Sequence, residues 1–203
     1  MKRTCCRLLP VAIICLAGVS SGADLEAVTE MCNDCHGTDG VSEWSDMPTI
    51  AGIDEFVHSE ALFIYRDNAR PCLDSEFRQG DTSRDATNMC DLTMNMTDED
   101  IEQIAAHYAA LPFVPAMQEY DAGLATTGKG VHERECGRCH SDGGSNPEDE
   151  AGILAGQWIG YLERTFAEYR TGERDQSPRM KETMDGLSED EIQALLHYYA
   201  SQQ

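Results

Sequence analysis

The sequence predicts an all-α protein built from two tandem domains, and three observations lead to this prediction. Apolar residues fall at helical spacing, as in Ile101, Ile104 and Tyr108, and no stretch alternates apolar and polar residues like a half-buried strand. The chain also contains an internal repeat. Finally, each repeat contains one copy of a five-residue motif, Cys32-Asn33-Asp34-Cys35-His36 in the first and Cys136-Gly137-Arg138-Cys139-His140 in the second.

The motif has the form Cys-x-x-Cys-His, which attaches a c-type haem. Its two thiols can each form a thioether with a haem vinyl group, and the following His can bind the iron. A thioredoxin-like site would need a βαβ pattern, and a zinc ribbon would place roughly 15–20 residues between its Cys pairs. The sequence therefore predicts two covalently attached haem c groups, with Cys32, Cys35, His36, Cys136, Cys139 and His140 as the attaching and axial residues.

The repeat predicts where the two domains begin and end. The motifs are 104 residues apart, and Ala51-Gly52 matches Ala155-Gly156 at the same offset. Further on the offset is 91, which relates Tyr108 to Tyr199, so the first half carries an insertion between Arg70 and Met89. We expect domains at residues 24–115 and 116–203, each short enough that a bound haem would complete its core.

Helix signals recur in both halves. Helices are predicted before each haem motif, around 54–69 and 156–171, and at the end of each half. Ser188 and Glu191 form a capping box at the start of the last helix, and Thr97 with Asp100 is a near match in the first half. Leu111 to Pro115 ends the first domain and begins an apolar linker.

The repeat also selects the second axial ligand of each iron. Met is the usual partner of His in electron-transfer cytochromes. Met89 and Met180 occupy equivalent positions before the last helix of each half, and we predict that they bind iron opposite His36 and His140. The other candidates have weaker support from the repeat and are read as core or surface residues: Met94, Met96, Met184, His107, His132 and His197.

The first 23 residues read as a secretory signal peptide. A basic start is followed by an apolar run from Leu8 to Val19 and by small residues up to Ala23, near which we expect cleavage. The run is shorter than the roughly 20 residues that span a bilayer, although a retained anchor is the alternative reading. We therefore expect a periplasmic protein with no integral membrane segment in the mature chain.

Export leaves one cysteine pair to explain. After the leader and the two motifs are set aside, only Cys72 and Cys90 remain. In an oxidising compartment a disulfide between them is expected, and two unrelated buried thiols are the alternative. Because Cys90 follows Met89, such a bridge would hold the loop of the predicted ligand.

The chain is strongly acidic, with 15 Lys and Arg against 37 Asp and Glu and a net charge of −22. This charge disfavours nucleic acid and anionic membrane surfaces as partners. It favours redox partners that dock through a basic patch, and a solvated acidic surface suited to a saline medium is the alternative reading.

The twin motifs, the Ala-Gly pairs and the sequence Leu187-Ser188-Glu189-Asp190-Glu191 resemble the dihaem class I cytochromes c, in particular the cytochrome c4 group. The resemblance covers nearly the whole mature chain. It implies two class I cytochrome c domains, each wrapped around a covalent haem, with haem propionates near the domain interface. It also implies that a carbonyl at Pro48 orients His36, whereas the second half has Gly152 at that position.

The leading hypothesis is an electron carrier, not an enzyme, that moves electrons between a dehydrogenase and acceptors such as a terminal oxidase. The Cys72–Cys90 insertion also resembles a branch that includes cytochrome subunits of flavocytochrome c sulfide dehydrogenase. That alternative would require a flavoprotein partner, because this chain has no dinucleotide-binding fingerprint. A dihaem peroxidase or thiosulfate dehydrogenase would instead need an open or unusually ligated iron.

Overall fold

The structure, a computed structural model, describes residues 24–203; the predicted signal peptide and its cleavage site lie outside the described residues. Every regular element of the described part is helical, apart from one isolated bridge between Ser75 and Thr87. The α-helices are α1 Leu25–His36, α2 Glu55–Arg66, α3 Met89–Thr93, α4 Asp98–Ala109, α5 Ala122–Val131, α6 Ile159–Thr171, α7 Pro178–Gly186 and α8 Glu189–Ala200. Over residues 24–203, none of these helices is both long and apolar enough to cross a membrane.

The two capping boxes form as predicted. Thr97 begins α4 and exchanges hydrogen bonds with Asp100, and Ser188 does the same with Glu191 at the start of α8. Each box satisfies backbone N–H groups that a helix start leaves without partners. The acidic first turns also suit the positive end of the helix dipole.

The repeat recurs in the backbone hydrogen bonds. The Gly40 carbonyl accepts from the N–H groups of residues 50 and 51 at 2.8 and 3.2 Å, and the Gly144 carbonyl accepts from residues 154 and 155 at 2.9 and 3.1 Å. Gly52 donates to the carbonyl of Tyr108 at 2.9 Å, and its counterpart Gly156 donates to that of Tyr199 at 2.8 Å. Both halves therefore fold the same segments in the same way.

Each half has its own apolar core around its last helix. Helix α4 contributes Ile101, Ile104 and Tyr108, which pack with Leu62 of α2. The second core has the same arrangement but is larger, formed by Val131, Leu162, Phe166, Met184, Leu187, Ile192, Leu195, Leu196, Tyr198 and Tyr199. The two repeat-related tyrosines are fully buried.

The second haem motif departs from the first in local structure. Cys32, Cys35 and His36 lie on the last turns of α1, whereas α5 ends at Val131 and a π-helical turn occupies His132–Cys136. The π turn closes with a hydrogen bond from Gly137 N to His132 O at 2.8 Å. Three glycines within α5 lower its helix propensity, and the backbone continues from α5 through the π turn into the motif.

The insertion of the first half, residues 71–88, crosses the first haem motif. It is fixed at its ends by the predicted disulfide, since Cys72 and Cys90 are joined with their Cα atoms 5.8 Å apart. In its middle, the N–H groups of Arg78 and Gln79 donate to the carbonyl of Asp34 at 2.8 and 3.0 Å. Arg84 forms an ion pair with the Asp34 carboxylate. We call residues 71–88 the strap.

The two halves contact each other through a small set of specific hydrogen bonds. The side chain of Gln157 pairs with both backbone groups of Thr49, and the indole N–H of Trp158 donates to the Ser42 carbonyl at 2.9 Å. Tyr161 N donates to Ser45 O at 2.9 Å. The start of α6 thus lies against the loop that follows the first haem motif.

Candidate functional site

The first candidate site is a cavity of about 390 Å³ beside α1. Cys32, Cys35, His36 and Met89 all line it. Neither cysteine is in a disulfide, and burial raises the pKa of the Cys32 thiol to about 11. The structure therefore brings together both thiols and both axial ligands predicted for the first haem.

His36 is held in a fixed orientation within this cavity. Its ring is 7% exposed, and Nδ1 lies 3.0 Å from the carbonyl oxygen of Pro48. With the N–H on Nδ1 donating to Pro48, Nε2 keeps its lone pair for a metal. Burial lowers the pKa of the ring, which favours the neutral form that can bind iron.

Met89 is the first residue of α3, directly after the N-cap residue Asn88. It is half-buried and packs against the first core. Met96 also lines the cavity, whereas Met94 is 58% exposed and is not among the lining residues. Met89 as the iron ligand remains a prediction from the repeat, and its place on the cavity wall is compatible with it.

The sequence reasoning missed His58. This side chain lies on α2, lines the first cavity and is 6% exposed. Its Nδ1 has no hydrogen-bond partner within residues 24–203. Burial, reinforced by His36, lowers its pKa to about 4. Its repeat counterpart, the core residue Leu162, was the available signal that position 58 faces inward.

The second candidate site is more open. Cys139 is exposed, and Cys136 and His140 are half-buried. The Gly152 backbone lies near the His140 ring and favours its charged form, so a carbonyl at this position could take the role that Pro48 has in the first half. Burial lowers the pKa of His140, as it does for His36.

Met180 and Met184 differ clearly in burial. Met180 is the third residue of α7, half-buried, and packs with Cys136 against the second core. Met184, one turn later, is 2% exposed and belongs to that core. Met180 as the second iron ligand stays a prediction.

Two repeat-related arginines line the first cavity at the junction of the halves. Arg70 stacks on Tyr65 with its guanidinium 4.5 Å from the ring centre, and Arg174 stacks on Tyr169 at 4.6 Å. Arg70 Nε and Arg174 Nη1 are buried without hydrogen-bond partners among the described residues. Although burial opposes ionisation of Tyr161, the two arginines outweigh it and lower its pKa to about 7.

These orphaned donors fit the cofactor that the motifs predict. A haem carries two propionate carboxylates, and guanidinium groups bind carboxylates through strong charge-assisted hydrogen bonds. The cavity combines two free thiols, an oriented imidazole and two guanidinium groups that each have a nitrogen without a hydrogen-bond partner among the described residues. This donor set fits a covalently attached haem: Cys32 and Cys35 would hold it, and Arg70 and Arg174 could bind its carboxylates.

The remaining histidines have structural partners. His132 Nδ1 lies 3.0 Å from the hydroxyl of Tyr199, and His197 accepts a hydrogen bond from Asp121 N at 3.0 Å. His107 packs edge-on against Tyr108. These contacts agree with their reading as structural residues.

Comparison with known proteins agrees with this chemistry. Residues 123–198 match the family described as cytochrome c oxidase, cbb3-type, subunit III. The chain is 29% identical to the thiosulfate dehydrogenase electron acceptor of Stutzerimonas stutzeri strain A1501, over 84% of this chain and 78% of that protein. It is 26% identical to cytochrome c4 of Pseudomonas aeruginosa strain PAO1, over 73% of this chain and 71% of the relative.

The fold also matches a solved structure. Reduced recombinant cytochrome c4 from Pseudomonas stutzeri aligns with a TM-score of 0.69 at 24% identity, covering 90% of this chain and all (100%) of that one. At this identity the likeness concerns the fold. It supports an all-α arrangement over both halves.

Proposed function

We propose that this chain, which is similar to cytochrome c4 and to a thiosulfate dehydrogenase electron acceptor, is a dihaem c-type cytochrome of the cytochrome c4-like family with two covalent haem c groups. In this role it transfers electrons in the periplasm between a dehydrogenase and a downstream acceptor such as a terminal oxidase. It is an electron-transfer cytochrome. Each haem supplies an iron that gains or loses one electron. The observation that carries the proposal is the cavity where Cys32, Cys35, His36 and Met89 meet.

In this proposal the chain attaches, orients and shields the two haems. Cys32 and Cys35 bind one haem and Cys136 and Cys139 the other, within domains 24–115 and 116–203. His36 and Met89, and His140 and Met180, are the axial pairs. With both axial positions taken by the protein, neither iron has a free position for a substrate, which suits a carrier rather than an enzyme. The leader is removed near Ala23.

The haem assignment can be tested by attachment. The full chain, produced in a bacterial host that matures c-type cytochromes, should gain the mass of two haems. Replacing Cys32 and Cys35 together by Ala should leave one haem, and so should replacing Cys136 and Cys139. An unchanged haem content in either double variant would refute the assignment of that motif.

The donor is proposed to be a dehydrogenase of reduced sulfur compounds. The relative named as a thiosulfate dehydrogenase electron acceptor supports this class, since its likeness extends over 84% of the chain. The net charge of −22 favours a partner with a basic docking patch. Purification from the native host at low salt should retain such a partner, and raising the salt should release it.

A second candidate is the cytochrome subunit of a flavocytochrome c sulfide dehydrogenase, with electrons arriving from a flavoprotein. The disulfide-closed strap favours it, because the insertion is the feature that resembles this branch. The same purification distinguishes the two. Flavin absorbance in a stable complex would support the subunit, and a complex without flavin would support the carrier.

A further inference from the structure

A single glutamine of the second half reaches the ligand loop of the first haem. The Gln157 side chain is 1% exposed, and its oxygen accepts from Thr49 N at 3.0 Å while its nitrogen donates to Thr49 O at 2.9 Å. Thr49 is itself fully buried. Gln157 therefore supplies the hydrogen-bond partners of both backbone groups of a buried residue in the other half.

The residue before Thr49 is Pro48, whose carbonyl accepts from His36 Nδ1 at 3.0 Å. The Pro48 carbonyl and the Thr49 N–H belong to one peptide group, so Gln157 is connected to the axial ligand of the first haem through that peptide group and one hydrogen bond on each side of it. Gln157 and Pro48 also line the same cavity as His36. Such an outer contact orients an imidazole and raises its basicity as a ligand.

The contact between Gln157 and Thr49 has no equivalent in which a residue of the first half binds the second half. The repeat counterpart of Gln157 is Ile53, and that of Thr49 is Ile153. An isoleucine side chain cannot donate or accept a hydrogen bond. We call the two hydrogen bonds between Gln157 and Thr49 the Thr49 clamp. Within the described residues, the loop beside Gly152 has no equivalent clamp from the first half.

We propose that Gln157 is a positioning residue for His36, so that the second half tunes the reduction potential of the first haem through a contact that the first half does not make in return. This inference rests on the proposed function, because it concerns an electron carrier with two irons. The contact between the halves then has a role in electron transfer as well as in holding the halves together. The division of electrons between the two haems then depends on how the halves sit together.

The test replaces Gln157 by Met, which has similar length and shape but has no N–H to donate and only a weakly accepting thioether. Without the two hydrogen bonds between Gln157 and Thr49, the Pro48 carbonyl holds His36 less firmly. The imidazole then donates less charge to the iron, which stabilises the reduced state of the first haem relative to the oxidised state. We expect the ratio of reduced to oxidised first haem at fixed potential to rise about threefold, equivalent to about 28 mV at 59 mV per tenfold change. The second haem, bound in the half that carries the substitution, should not change.

The measurement is a potentiometric titration of the holoprotein, monitored by NMR of the haem methyl groups. Contacts with neighbouring side chains assign each methyl signal to one haem. Trp158→Phe is the matched control. It removes one hydrogen bond between the same two halves, from the indole to Ser42, and leaves the Thr49 clamp intact. The control should keep both potentials, which separates positioning of His36 from general weakening of the interface.

Gln157→Leu serves as a second variant if the Met variant does not accumulate. A rise in the reduced-to-oxidised ratio that is confined to the first haem supports the inference. An unchanged first haem, a shift at the second haem, or an equal shift in Trp158→Phe overturns it. Failure of the unaltered chain to bind two haems or to be reduced reversibly would refute the proposed function instead, so the two failures are distinguishable.

Discussion

Removing the Cys72–Cys90 disulfide should destabilise the protein by an amount that the loop length predicts. The two cysteines are 18 residues apart, and the chain-entropy relation gives about 3 kcal/mol for a loop of that size. For a chain of this size each kcal/mol lowers the melting temperature by about 2–4 °C, so replacing both cysteines by Ser should lower it by about 6–12 °C. Because Cys90 directly follows Met89, the Met–iron absorption band should also weaken before the protein unfolds.

The assay is thermal unfolding of the holoprotein monitored by circular dichroism and haem absorbance, with ascorbate in every melting sample to keep the irons reduced. The Met–iron band is monitored separately, in oxidised samples without ascorbate. A thiol reductant provides the control, since it should lower the melting temperature of the unaltered protein to that of the variant and leave the variant unchanged. The strap would still be tied to Asp34 by Arg78, Gln79 and Arg84. A loss of less than about 2 °C with an unaltered band would show that these contacts alone hold the strap and Met89.

Three further predictions follow from single side chains. The folded-state pKa of His58, about 4, lies below its ordinary value of 6.5, so the unfolding free energy should fall by about 3 kcal/mol as the pH drops from 7 to 4. His58→Leu should remove that part of the pH dependence in chemical denaturation, and an identical slope would contradict it. Met180→Leu should abolish the Met–iron band of one haem, whereas Met184→Leu should keep both bands and lower stability; the reverse pattern would exchange their roles. Ser188→Ala should lower the unfolding free energy by about 1 kcal/mol through loss of the α8 cap, and no change in urea midpoint would refute this.

The local signals in the sequence were sufficient for most helices. The capping residues Thr97 and Ser188 begin α4 and α8 as predicted, because a cap depends only on residues within one turn. The disulfide was also predictable, since the cysteine count left a single pair. The predicted all-α class I cytochrome c fold is confirmed by the likeness to cytochrome c4 structures.

The π turn before Cys136 was not predicted. Periodicity indicated a helix leading into each motif, and α5 does lead into the second one, but its glycines and the contact of His132 with Tyr199 favour a wider turn. The environment of His58 was missed for a similar reason. A buried histidine and a surface histidine look alike in a sequence until the neighbours of the helix are known.

The sequence alone predicted two attached haems, an internal repeat, and an insertion in the first copy beside one remaining pair of cysteines. These conclusions depend on residue types at short spacing or on a repeat offset, both of which are read along the chain. Only the tertiary structure decided which groups meet across the chain. Gln157 and Thr49 are 108 residues apart. The strap covers Asp34 in the first half, whereas the equivalent residue of the second half, Arg138, is exposed. Such contacts form because burial leaves each backbone N–H and carbonyl in need of a partner, and the packing of the halves decides which side chain supplies it.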